Sequence, residues 1–152
     1  MISRAKDLIP VVEEIIQLKQ VCDQAARALE EHYGHLSSIE KFEKYVEDKH
    51  SQHARSNIED YLEILSKYDI AIIQSIMYSG RDHHRSVSIE HENNVEQTES
   101  YDENDGYTPR DSFIAYYNSV KNDNKNGAIQ HLLGKGQLTQ YLINGIQIIR
   151  TM

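Results

Sequence analysis

The sequence contains a single cysteine, Cys22, and that scarcity removes two classes of small protein. One thiol closes no internal disulfide and builds no cysteine-based zinc site. Prolines number two, Pro10 and Pro109, and both fall where a helix tolerates them, in a first turn. No apolar run exceeds Ile70 to Ile73, which is far too short to cross a bilayer. The opening residues MISRAKDLIPVVEEIIQ lack the h-region of a secretory leader. Basic residues are outnumbered, 16 against 24 acidic, for a formal net charge of −8 over 152 residues. Such a chain gains nothing from counterion release on a polyanion, so direct nucleic-acid binding is not expected. These absences point to a cytoplasmic protein away from the membrane, with a possible basic protein as partner.

What is present is helical periodicity. Leu8, Val11, Ile15, Leu18, Cys22, Ala25, Leu29, His32 and Leu36 follow steps of three and four, the pattern of a heptad seam. Val12, Ile16, Val21, Ala26 and Ala28 widen that stripe, which suits a bundle better than an isolated two-stranded coil. Asp7 is placed to cap this helix and Gly34 to end it. Ser37 with Glu40 forms a capping box for a following helix through Ile39, Phe42 and Val46. Ser56 with Glu59 and Ser66 with Asp69 repeat the signature. Residues 39–79 therefore form either one helix with soft spots or three pieces. Ile72, Ile73, Ile76 and Met77 supply a buried face, and Gly80 is the expected stop.

From Ser86 to Thr108 the chain carries seven carboxylates, no Lys or Arg and almost nothing apolar. Such a segment buries too little surface to offset its ordering entropy, so a disordered acidic loop is expected at about 86–107. Thr108-Pro109 then opens a helix through Phe113, Ile114, Tyr117 and Val120. Two short helices follow, GAIQHLL and GQLTQYLINGIQIIR, joined at Gly134-Lys135-Gly136. No strand pattern occurs anywhere. The expected class is all-α: a multi-helix bundle with a long N-terminal helical hairpin at 1–55 and a compact helical domain at 56–152.

The stretches YLEILSKYDIAIIQSIMYSGRD and GAIQHLLGKGQLTQYLINGIQII resemble a bacterial family catalogued as domain of unknown function 3775. That family has a short helix ending Leu-Ser, then a helix ending Leu-Met-Tyr/Trp-x-Gly-Arg. It closes with a Tyr-Leu-Leu-Gly turn before a helix reading Leu-x-x-Tyr-Leu-x-x-Gly. The resemblance covers about 58–85 and 108–150. Met77, Gly80, Arg81, Leu132, Leu133, Gly134, Leu138, Tyr141, Leu142 and Gly145 match its motifs. It implies a small helical domain and brings no activity or catalytic residue. The N-terminal extension and the length of the acidic loop depart from the pattern.

Several constellations invite chemistry. Glu47, His50 and His53 read Glu-x-x-His-x-x-His, which on one helix face would bring a carboxylate and two imidazoles to one metal. A ferritin-like centre needs a second such motif, and none exists, so a solvated polar face is the simpler account and no metal or other cofactor is expected. DENDGY fails as a calcium loop, with Tyr101 and Ser112 at ligand positions. LLGKGQLT fails as a phosphate loop, with Ile129 where its first glycine belongs. Cys22 sits in the apolar seam with no base beside it, as a small hydrophobe does. Tyr116, Tyr117 and Tyr141 read as core-edge packing. Arg81, Asp82, His83 and His84 form a polar cluster of unassigned role. An anion site is one account; charges complementing a helix end after Gly80 is the more economical one.

Three functions follow as expectations. The leading one is a non-enzymatic interaction module that self-associates as a dimer through Leu8, Val11, Ile15, Leu18, Cys22, Ala25 and Leu29. The alternative is an acidic, immunity-type inhibitor masking a basic surface. The third is a metal-binding helical protein using Glu47, His50 and His53.

Overall fold

Local capping chemistry divides the chain into helices. The computed structural model describes the backbone of residues 1–93 and 108–152, and the side chains of 1–82 and 108–152. Within them the elements are α1 (Ile2–Asp7), α2 (Ile9–Tyr33), α3 (Ser38–Glu47), α4 (Lys49–Glu63), α5 (Lys67–Asn93), α6 (Pro109–Val120), α7 (Lys125–Leu133) and α8 (Leu138–Arg150). The class is all-α, a multi-helix bundle.

Ser37 Oγ accepts from the Glu40 N–H at 3.3 Å, capping α3, and donates to Glu40 Oε1 at 3.2 Å. Ser66 Oγ accepts from the Asp69 N–H at 3.0 Å at the start of α5, and Thr108 Oγ1 from the Asp111 N–H at 3.1 Å at the start of α6. Ser56 caps nothing, because it lies inside α4; Asp48 does that work, its Oδ2 accepting from the Ser51 N–H at 2.8 Å. Asp7 likewise belongs to α1, and α2 begins without a side-chain cap. Residues 39–79 are therefore three pieces, broken at the extended Asp48 and again after Glu63.

Helix α5 holds the centre. Ile70, Ile72, Ile73, Ile76 and Met77 are at most 1% exposed, and α6, α7 and α8 all pack on this helix. Each such side chain contributes about 1.5–3 kcal/mol by leaving water. Leu138, Leu142, Ile146 and Ile149 form the matching stripe of α8, and Phe113 anchors α6. Helix α2 lies against both α4 and α8, so its seam is covered by the chain's own helices. Leu8, Ile15, Ala25 and Leu29 are buried, while Val11, Leu18 and Cys22 pack partly buried at the core edge. Within the chain the stripe therefore packs largely against α4 and α8, with Val11, Leu18 and Cys22 keeping part of their surface exposed.

Among the described residues one core cluster runs from Ala5 to Ile149. Residue 55 falls inside α4, so the division at 55/56 coincides with no break in either chain or core.

Gly80 does not end its helix. A Cβ there would sit 1.8 Å from Tyr141 O and 2.6 Å from Gly145 N; one on Gly145 would sit 2.2 Å from Ile76 O. The two glycines let the backbones of α5 and α8 touch at their crossing. Because α5 continues to Asn93, the acidic segment expected to be loop from Ser86 is helical at its start. Its remainder, 94–107, lies outside the described residues.

Candidate functional site

With Gly80 at a helix crossing, Arg81 and Asp82 project from the middle of a helix rather than past its end. Arg81 Nε and Nη2 donate to Asp82 Oδ1 and Oδ2 at 2.7 and 3.1 Å. Tyr116 on α6 donates its hydroxyl to Asp82 Oδ2 at 2.6 Å. The Arg81 guanidinium lies 4.8 Å from the centre of the Tyr78 ring, and Tyr78 and Tyr116 are 5.7 Å apart. Tyr78 Oη meets His131 Nε2 of α7 at 2.7 Å. An Arg–Asp–Tyr–Tyr–His network thus ties α5 to α6 and α7. The hydrogen bond to Asp82 pushes the Arg81 pKa up, and burial pushes the Tyr78 phenol up. Neither group is poised as a base or nucleophile, and Arg81 would have to leave Asp82 to grip an anion. The side chains of His83 and His84 lie outside those described. Tyr116 and His131, read from sequence as core edge and as nothing, are members of this network; no local signal marked them, because their partners come from other helices.

The histidine motif does not assemble. Glu47 ends α3, and His50 and His53 belong to α4 beyond the extended Asp48. All three are exposed, and among the described residues no group of three His, Cys, Asp or Glu side chains converges to hold a metal. The expected common helix face is corrected by that break. Cys22 lines a cleft of about 290 Å³ between α2, α3, α4 and α7, with Leu29, Tyr45, Ile58 and Leu133. Burial pushes its thiol pKa up, the direction of an unreactive cysteine.

The strongest surface feature is α3. Its apolar residues Ile39, Phe42 and Val46 are 74%, 68% and 52% exposed, and no residue of the helix is buried. Its polar side faces inward instead. Lys41 Nζ reaches Glu30 Oε1 of α2 at 3.3 Å, and the Tyr45 hydroxyl donates to Glu30 Oε2 at 2.8 Å. Lys44 Nζ lies 5.6 Å from the centre of the Tyr33 ring. Gln52 of α4 donates to the Val46 carbonyl. The amphipathic helix is mounted with its apolar face outward.

Comparison with protein-family models, with curated proteins and with solved structures finds no match to this chain.

The site's electrostatics therefore rest on its own residues. Glu40, Glu43 and Glu47 recur at i, i+3 and i+7, forming an acidic row along the apolar stripe. The two lysines of α3 are turned back to α2, so the outward edge keeps its negative charge. The Tyr45 hydrogen bond, reinforced by Lys41, holds the Glu30 carboxyl below its ordinary range and fixes the mounting.

Proposed function

We propose that the chain is a non-enzymatic protein–protein interaction module that docks a basic, amphipathic partner on the outward face of α3. The observation that carries this reading is the exposure of Ile39, Phe42 and Val46 on a helix whose polar side is clamped to α2. Three large apolar side chains in one stripe, left to water, mark a recognition face. The row of Glu40, Glu43 and Glu47 and the net charge of −8 select a partner whose apolar ridge is edged by Lys or Arg. A second copy fits less well. An antiparallel twofold pairing of α3 with itself would set one glutamate row against the other. Leu8, Ile15, Ala25 and Leu29 of the α2 seam are buried within the chain, which leaves α3 as the more exposed apolar face.

The single thiol suits a reducing compartment, and we place the protein in the cytoplasm. Among the described residues no helix is long and apolar enough to cross a membrane. Kinship with the uncharacterised family resembled over about 58–85 and 108–150 belongs to the same proposal and adds no activity.

The test is titration of the whole chain with a synthetic helical peptide carrying a leucine stripe edged by lysines. Saturable binding that falls at least about tenfold in Phe42→Ala, and weakens with added salt, is the expected result. Binding unchanged by Phe42→Ala sinks the assignment of α3. Sedimentation at micromolar concentration addresses the second copy: a dimer abolished by Phe42→Ala would replace the basic partner with the chain itself.

A further inference from the structure

The cleft that holds Cys22 carries an independent signal. On α2 it is lined by Lys19, Cys22, Ala26 and Leu29, and on α4 by Arg55 and Ile58, each set in steps of three and four along one helix face. Leu133 closes it from α7 and Tyr45 from α3. Leu29 and Ile58 are buried, and Cys22 and Leu133 pack partly buried against the core. The walls are thus apolar, around a space of about 290 Å³. An enclosed apolar cavity of about 150 Å³ already admits a benzene-sized guest.

The polar lining is biased to one sign. Among the described residues no Asp or Glu lines the cleft, while Lys19 and Arg55 do, in a chain whose net charge is −8. Each cation is paired along its own helix, Lys19 Nζ with Asp23 Oδ1 at 2.9 Å and Arg55 Nε with Glu59 Oε1 at 2.8 Å. Neither pair exhausts its cation: both Arg55 Nη groups and further Lys19 N–H groups stay uncommitted among the described residues. Burial is the largest influence on the Cys22 thiol and pushes its pKa up, as an apolar wall does. After burial both ion pairs act on the thiol, and in each the cation acts more strongly than its carboxylate. The pairs therefore present their positive ends to the cleft, with the carboxylates behind. The other polar groups are spent or withdrawn. The Tyr45 hydroxyl donates to Glu30, Gln52 donates to the Val46 carbonyl, and the Ser51 hydroxyl is itself buried. Against these donors stands one uncommitted side-chain acceptor of the described lining, the Gln52 amide oxygen.

We propose that this cleft binds a small molecule with an apolar chain and a carboxylate head, the chain against Cys22, Leu29, Ile58 and Leu133 and the head at Lys19 and Arg55. The inference does not rest on the docking role of α3. Ile39, Phe42 and Val46 face outward, and none of them lines the cleft.

The experiment is an amide NMR titration of the full chain with hexanoate, with n-hexanol and n-hexylamine at matched ionic strength as controls. Beside it runs the rate at which N-ethylmaleimide alkylates Cys22, the single thiol. Hexanoate is expected to bind saturably, at least about tenfold more tightly than either control, and to slow the alkylation. Added salt should weaken it. Arg55→Gln should weaken hexanoate binding at least about fivefold. Glu59→Gln, which frees the guanidinium, should instead tighten it, a gain that no loss of structure produces. The Arg55 and Glu59 side chains are 68% and 35% exposed, so both variants keep the fold. No saturable response to hexanoate would overturn the proposal. So would saturation without protection of Cys22, hexanol binding as tightly as hexanoate, or weaker binding in Glu59→Gln. Phe42→Ala, which tests docking on α3, should leave hexanoate binding unchanged, so either reading can fail without the other. Loss of hexanoate binding in Phe42→Ala would place the ligand on the outward face and overturn its assignment to the cleft.

Discussion

The consequences are sharpest at single residues, and two helical glycines show how surroundings set the sign of one substitution. At Gly80 an added methyl would collide with the backbone of α8 at Tyr141 and Gly145, which no side-chain rotation relieves. Overpacking of this kind costs about 3 kcal/mol, against a gain in helix propensity of about 1 kcal/mol. Gly80→Ala should therefore lower stability by about 2 kcal/mol, read as a lower urea midpoint at unchanged slope. At Gly127 the same methyl meets nothing closer than Asn124 at 3.9 Å. Gly127→Ala should be neutral or stabilising by up to about 1 kcal/mol in the same measurement. Equal losses at both positions would show that α5 and α8 do not cross on Gly80. From sequence, Gly80 reads as a helix stop, because a glycine behind an apolar run is usually one. The residue that reverses the reading, Gly145, lies far downstream, so only the tertiary structure joins them.

At the scale of the element, α3 separates what is legible in a sequence from what is not. Its start was readable, since Ser37 and Glu40 act within one turn of chain. Its apolar stripe was readable too, as a period of about 3.6. Which face would be covered was not, because periodicity names two faces without saying what clamps them; that depends on Glu30 in another helix. The outward mounting predicts a contrast between the two phenylalanines of the sequence. Phe113, fully buried in α6, should cost about 3–5 kcal/mol on truncation to Ala. Phe42→Ala, 68% exposed, should stay within about 0.5 kcal/mol of the native stability. Chemical denaturation of both variants checks this, and a large loss at Phe42 would mean that its face is covered. The corner also responds to pH. Glu30 is held below its ordinary pKa by Tyr45 and Lys41, and Asp48 by the Ser51 N–H. Carboxylates with depressed folded-state values stabilise fully above their unfolded values of about 4, and that contribution disappears as pH falls through the lower, folded ones. Hydrogen-exchange protection of α3, taken relative to the intrinsic rate at each pH, should therefore fall below about pH 4, ahead of that of α5, whose buried apolar face carries no such dependence.

For the whole molecule, the question is whether the N-terminal helices are an extension or part of the body. The seam of α2 looked like surplus because a sequence shows a stripe without the surface it meets. The structure gives it α4 and α8, and Leu8, Val12, Ile15 and Ile16 enter the same cluster as Ile58, Leu142 and Ile146. Arg4 adds a bidentate tie, its Nε and Nη2 donating to Asp69 at 3.0 and 2.7 Å across the start of α5. Those four large side chains alone account for about 6–12 kcal/mol of burial. That is as large as the net stability of a typical domain, about 5–15 kcal/mol. Removing α1 to α3 would strip this contribution and expose the apolar surfaces of α4 and α8 as well. A chain of residues 48–152, which keeps Asp48 to cap α4, should therefore lose its cooperative thermal transition and bind a hydrophobic dye while retaining helical signal. The full chain should unfold in one step, since a single core offers no place for an intermediate to stop. A cooperative transition in the truncated chain would instead make the first three helices an independent unit, and would return the seam of α2 to the surface as a face to be covered by another chain.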